Sequence, residues 1–123
     1  MHEAVRKNQL AKVREFCLKN KDLVNVRDKF NNAPIHLAVQ GGQMEMLKFL
    51  LSKGADINAQ NSNGYTALHI AVEKVYQDIV RFLLSQSADT SIKNSENCTP
   101  LELAVKLNYS TMADYLRSQN SQH

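Results

Sequence analysis

The chain has 123 residues, of which 43% are hydrophobic and 22% charged, with a formal net charge of +3. That length favours one domain. No apolar run approaches the roughly 18 residues of a membrane span, and the positive surplus is far below that of a dedicated nucleic-acid binder.

From its first residues, Met1-His2-Glu3-Ala4-Val5-Arg6, the chain reads as an amphipathic helix, with no charged-then-apolar leader. Similar elements then recur at a fixed spacing. His36 and His69 stand 33 residues apart, as do Ala38 and Ala71, Val39 and Val72, and Asp56 and Asp89. Phe49-Leu50-Leu51 returns as Phe82-Leu83-Leu84, and Thr99 and Tyr109 repeat Thr66 and Tyr76. A fixed period of this length predicts a solenoid in which each unit packs on its neighbours. The units fall at about 1–27, 28–60, 61–93 and 94–120 of a single domain spanning 1–123.

In the first unit Ala4 aligns with Ala38, Val13 with Leu47 and Phe16 with Leu50. Cys17 aligns with Leu51 and Leu84 and is read as a buried apolar residue. One inserted residue near Asn20-Lys21 restores the register at Asn25. In the second unit Ala33-Pro34-Ile35-His36 starts a helix with Pro in its first turn. It lacks a capping hydroxyl, at a cost of about 1 kcal/mol. Met46 falls on the core face and Met44 is partly exposed.

The third unit opens on the turn Asn61-Ser62-Asn63-Gly64. Thr66 then caps a short helix over 67–74, and an outer helix over 77–85 carries Ile79, Val80, Phe82, Leu83 and Leu84. Ser87-Ala88-Asp89 ends it. In the fourth, Thr99-Pro100-Leu101-Glu102 is a capping box.

Two positions call for left-handed backbone. The loop turn holds Asn31, Gly64 and Asn97, which tolerate it. The end of each first helix holds Asn8, Gly42, Val75 and Asn108. A β-branched residue resists positive φ, so a distorted turn is expected at Val75. Polar residues sit where an end unit must face water: Glu3, Lys12 and Glu15 replace Leu37, Met46 and Phe49, and Arg117 replaces Leu84. This pattern fits four repeats as a complete array, whereas Met1 falling within the first helix fits a chain trimmed from a longer one.

These motifs, NNAPIHLAV…LLSKGADIN, then NGYTALHIAV…LLSQSAD, then NCTPLELAV, resemble the ankyrin repeat. The family pattern departs here at Ala33, Ala67, Glu102 and Ser87, weakening single caps. The resemblance implies an all-α ankyrin-repeat solenoid of stacked helix-turn-helix units with projecting β-hairpin loops. It also implies that His36 and His69 bond neighbouring backbone and the capping Thr. Cys17 and Cys98, in the first and fourth units, lie beyond disulfide reach in such a stack. Free thiols fit a reducing, intracellular compartment, cytoplasmic or nuclear. Cys98 lies on a loop without a basic neighbour to activate it.

No CxxC or HxxxH, phosphate loop or nucleophile–base motif is present, so no metal, no cofactor and no enzymatic activity are expected. The resemblance instead implies binding through the loop tips and the exposed ends of the first helices. Carried over, that surface is Arg6, Lys7, Arg27, Lys29, Phe30, Asn32, Gln40, Gly41, Gln60, Ser62, Asn63, Tyr65, Glu73, Lys74, Lys93, Ser95, Glu96, Cys98, Lys106 and Leu107. Basic residues outnumber acidic ones, and Phe30, Tyr65 and Leu107 have no evident core to fill, a composition suited to interface anchors. The expected function is a protein–protein interaction module for an acidic, partly apolar partner. The alternative is nucleic-acid or anionic-lipid binding through the same basic ridge, against which the low net charge argues. The outer helices are expected to commit their apolar residues to the core and to leave Lys48, Arg81 and Asp114 scattered outside.

Overall fold

The computed structural model describes residues 1–120 as four helix pairs: α1 (His2–Arg6) and α2 (Leu10–Lys19), α3 (Pro34–Gln40) and α4 (Met44–Ser52), α5 (Ala67–Glu73) and α6 (Gln77–Ser85), α7 (Pro100–Lys106) and α8 (Ser110–Asn120). The first helices stack in chain order, α1 on α3, α3 on α5 and α5 on α7, and each second helix packs against its own first helix. The middle first helices are therefore covered on several sides. Every residue of 34–39 and of 67–72 is buried, which is why these segments read as continuous apolar runs rather than stripes. The second helices bury one face each, through Leu47 and Leu50 in α4 and Val80 and Leu83 in α6.

The caps follow the sequence. Thr66 Oγ1 accepts the His69 N–H at 3.3 Å, and Thr99 Oγ1 accepts the Glu102 N–H at 3.2 Å. Glu102 answers by accepting the Thr99 N–H at 3.0 Å, and that bond holds its carboxyl below the ordinary range. Ala33 has no hydroxyl to offer. There His36 Nδ1 accepts the Ala33 N–H at 2.9 Å, so one orphan donor is still satisfied.

All four first helices end alike. The residue at the left-handed position donates to the carbonyl three back, and the next residue to the carbonyl five back. At Val75 these bonds are Val75 to Val72 at 3.0 Å and Tyr76 to Ala71 at 2.9 Å. The distortion expected at Val75 is absent: its φ is 58°, beside 56° at Asn8, 65° at Gly42 and 62° at Asn108. Both Schellman bonds depend on that conformation, so the backbone keeps it and the side chain bears the strain. Ser87, φ 65°, similarly stands in the left-handed region where Gly54 stands one unit earlier.

The first unit departs from its alignment. Met1 occupies the N-cap position and lies outside α1. In α2 the buried residues are Val13 and Cys17, four apart, and Phe16 is only half-buried. The inserted residue forms a short 3-10 turn over Lys21–Asn25, which the sequence did not announce. It is capped by Asn20 Oδ1 accepting the Asp22 N–H at 3.0 Å. Met46 is buried and Met44 half-buried, as their spacing predicts.

The outer face is more ordered than expected. Arg14 lies 5.5 Å from the Phe49 ring centre, Lys48 5.6 Å from Phe82, and Arg81 5.9 Å from Tyr115. The second helices α2, α4 and α6 thus each send one cation to the aromatic of the next, at close to the repeat spacing. Lys48 and Arg81 are not scattered. Leu18 is the reverse exception, 84% exposed on α2 and uncommitted to the core.

Candidate partner-binding surface

The loops between units are built from one repeated device. Asp28, Asn61 and Asn94 occupy the same position, and one side-chain oxygen of each accepts the N–H groups two and four residues ahead. Two backbone bonds close each loop: the N–H of Asp28, Asn61 and Asn94 donates to the carbonyl of Asn32 at 3.0 Å, Tyr65 at 3.0 Å and Cys98 at 2.9 Å, and the N–H of Asn31, Gly64 and Asn97 donates back to the carbonyl of Asp28, Asn61 and Asn94, each at 2.9 Å. Asn31, Gly64 and Asn97 sit left-handed with φ 61°, 76° and 65°, as their composition predicts. The loops project as hairpin turns, and no strand is present among the described residues.

Neighbouring loops are laced together by side chains at the repeat spacing. Arg27 Nη1 donates to the Asn31 carbonyl at 2.8 Å and to the Gln60 carbonyl at 2.9 Å. One unit on, Gln60 Nε2 donates to the Gly64 and Lys93 carbonyls, both at 3.0 Å. Beneath them Asn25 accepts the Asp56 N–H, and Asn58 accepts the Asp89 N–H, each at 2.9 Å. Asp56 and Asp89 turn their own loops by accepting the N–H groups of Asn58 and Ser91. The only sequence signal for this lacing was position: residues 27, 60 and 93 are one period apart and share no residue type.

His36 and His69 are structural. His69 Nδ1 accepts the Thr66 N–H at 3.1 Å and lies 2.9 Å from its hydroxyl, so Nε2 carries the proton and donates to the Cys98 carbonyl at 2.9 Å. His36 Nε2 likewise donates to the Ala59 carbonyl at 2.9 Å and the Tyr65 carbonyl at 3.1 Å. Each ring therefore anchors the following loop. Burial depresses the basicity of both imidazoles, keeping them neutral.

The structure sorts the predicted surface residues into several groups. Asn32 is buried. It accepts from Asn61 through Oδ1 at 3.1 Å, and its carbonyl accepts His2 Nε2 at 2.9 Å, so it presents nothing to a partner. Arg27 and Gln60 are exposed but occupied by loop carbonyls. Arg6 pairs with Asp28 at 3.4 Å, Lys7 with Glu3 at 3.3 Å, and Lys106 with Glu96. Ser62 donates its N–H and hydroxyl to the Phe30 carbonyl at 3.1 and 2.7 Å, and Asn63 accepts the Ser95 N–H at 3.0 Å.

Tyr65 is half-buried against the His69 ring, with centroids 5.5 Å apart, and its hydroxyl donates to Glu73 at 3.2 Å. Burial, then the Glu73 carboxylate, push that phenol up to about 12. Tyr65 also explains an orphan. Asn61 Nδ2 finds Asn32 one unit back, but the counterpart facing Asn94 is Tyr65, and Asn94 Nδ2 is buried without an acceptor. Gln40 and Gly41 are exposed at the end of α3. Cys17 is buried and Cys98 half-buried, and both are free thiols.

What stands out from the ridge is Phe30, 58% exposed at a loop tip with Lys29 5.1 Å from its ring centre. Lys74, Lys93 and Leu107 are exposed along the same line of loops and first-helix ends. Lys29, Lys74 and Lys93 have no carboxylate in ion-pair contact among the described residues. No group of three His, Cys, Asp or Glu side chains that could hold a metal ion occurs among the described residues, and no helix there is long and apolar enough to cross a membrane.

Stacked helix pairs with laced loops define a repeat solenoid. Its specific kind follows from comparison with known sequences: the family described as ankyrin repeats (3 copies) matches residues 1–94. The chain belongs to the ankyrin-repeat family. Ankyrin repeats are in general protein–protein interaction modules and typically non-catalytic.

Among similar proteins, the ankyrin repeat protein FPV240 of fowlpox virus (strain NVSL) is 34% identical over 63 residues, covering 51% of this chain and 15% of its own length. Transient receptor potential cation channel subfamily A member 1 of Homo sapiens is 43% identical over 42 residues, 34% of this chain and 4% of its own. The 2-5A-dependent ribonuclease of Mus musculus is 34% identical over 62 residues, 50% of this chain and 8% of its own. The chain thus spans a small part of these relatives, and the likeness lies in the repeats.

Proposed function

We propose that this chain is a recognition module that binds a partner protein through its loop tips and the adjoining ends of its first helices. The observation that carries the proposal is Phe30. Its N–H donates to Asp28 Oδ1 at 2.9 Å and its carbonyl accepts the Ser62 N–H and hydroxyl at 3.1 and 2.7 Å, so its backbone is fixed at both ends, yet its ring is largely exposed. A rigidly presented aromatic loses little conformational entropy on binding, which is what an interface anchor requires. Leu107 adds a second apolar contact, and the unpaired Lys29, Lys74 and Lys93 suit an acidic partner with an apolar side chain to insert.

Nucleic-acid or lipid binding through the ridge draws less support, because Arg6, Lys7, Arg27 and Lys106 are already engaged within the chain. The test is to recover partners on the folded chain and measure their affinity for Phe30→Ala and Lys93→Glu, with Thr111→Ala on the outer face as control. Truncating a true anchor should weaken binding by at least about 2 kcal/mol. Charge reversal at Lys93 should mainly slow association. Unchanged affinity for both ridge variants refutes the assignment. A nucleic-acid partner would reveal itself by affinity that falls steeply between about 50 and 200 mM salt.

A further inference from the structure

We propose a second docking surface on the opposite side of the solenoid, on the outer face of the first two units. Its occupant is an acidic peptide segment carrying an apolar side chain.

The surface is a groove of about 660 Å³ between α2 and α4. Cys17, Leu18 and Phe49 supply its apolar part, and Arg14, Lys21 and Lys53 supply charge. Its origin is local. Cys17 stands where the later units carry Leu51 and Leu84, so a shorter side chain leaves the space between neighbouring second helices less filled. The extra residue in the 3-10 turn then brings Lys21 to the lining.

Two features separate this groove from the rest of the outer face. The first is charge. Lys19 pairs with Glu15, Lys48 with Glu45 and Arg117 with Asp114, but Arg14, Lys21 and Lys53 have no carboxylate in ion-pair contact among the described residues. No carboxylate lines the groove at all. The second is Leu18. At 84% exposure it is the most exposed large apolar side chain among the described residues, on a helix whose neighbouring apolar residue, Cys17, is buried. Three unpaired cations around an apolar floor complement a segment with negative charge on both sides of one apolar residue. Arg14 and Lys53 lie 5.5 and 5.7 Å from the Phe49 ring centre, which sets positive charge directly beside the apolar part of the groove.

The experiment uses a fluorescein-labelled synthetic octapeptide with a central Leu-Phe pair flanked by glutamates. Binding to the whole chain is read by fluorescence anisotropy and by amide chemical shifts. The expected result is saturable binding with shifts at Cys17, Leu18, Ser52 and Lys53. Leu18→Ser and Lys21→Glu should each weaken it about tenfold, and Phe30→Ala should leave it unchanged. Neither Leu18 nor Lys21 supports the fold, so loss of structure cannot imitate the effect; circular dichroism of each variant verifies this. A peptide with the Leu-Phe pair replaced by Ser-Ser should bind about tenfold more weakly. Absence of saturation, shifts confined to the loop ridge, or equal binding of the Ser-Ser peptide would each overturn the proposal. So would preferential binding to vesicles of anionic phosphatidylserine with no peptide response.

Discussion

Replacing Val75 with glycine should leave the protein about as stable, although valine to glycine is normally a costly change. Val75 sits at φ 58°, where a β-branched side chain crowds the backbone, and its side chain is 52% exposed. Relief of left-handed strain is worth about 1–2 kcal/mol. Against it stand the flexibility that glycine gives the unfolded chain, about 0.5–1 kcal/mol, and the half-buried part of the side chain, about 0.7 kcal/mol from half of a small apolar residue. The balance centres on about zero, between about 0.7 kcal/mol of destabilisation and about 0.8 kcal/mol of stabilisation.

Val75→Asn sharpens the test. Asparagine accepts the left-handed region, as it does at Asn8 and Asn108, without loosening the unfolded chain. It should gain about 0.5–1 kcal/mol, a rise of roughly 2–4 °C in melting temperature for a chain of this size. The converse substitution, Gly42→Val, recreates the strain at φ 65° and brings a Cβ within 3.3 Å of the Tyr76 ring, so it should lose at least about 1–2 kcal/mol. Urea unfolding followed by circular dichroism reads all three. A loss above about 1 kcal/mol for both Val75 variants refutes the reasoning, because packing would then outweigh strain.

Leu50→Ala and Leu83→Ala, both fully buried, should each cost about 2–5 kcal/mol; an unmoved urea midpoint would show that the apolar faces are misassigned. Ala33→Thr should add the hydroxyl that Thr66 and Thr99 use and raise stability by about 0.5–1 kcal/mol. Thermal melts check this, and a drop would mean the buried site has no room for it. Burial lowers the basicity of His36 and His69 in the folded chain, so the unfolded chain binds protons more readily. Stability is therefore complete above the ordinary histidine value of about 6.5 and declines as pH falls below it. A urea midpoint that stays constant from pH 7 to pH 5 would contradict this placement of the rings.

The reach of the sequence can be judged from particular residues. The period of 33, the caps at Thr66 and Thr99, the outer helix over 77–85 and the left-handed Asn31, Gly64 and Asn97 were all legible. Each is set by backbone preference and apolar spacing within one unit, repeated. At Val75 the same local preference pointed to a distorted turn, but two Schellman bonds imposed the geometry of the other units. Local propensity yields where the fold fixes the hydrogen bonds.

The candidate surface was legible as a place and not as a set of free groups. Residue type suggested a basic ridge around Arg6, Arg27 and Lys106, but Asp28, the loop carbonyls and Glu96 take up those charges. Asn32 looked like a polar loop residue but is buried, its side chain accepting from Asn61 of the next unit. Lys48 and Arg81 looked incidental and lie over Phe82 and Tyr115. The sequence by itself determined the unit, because helix periodicity, caps and turn residues act over a few positions. Only the tertiary structure decided which side chains remain free, because contacts between units join residues some 30 positions apart whose pairing depends on how the repeats stack.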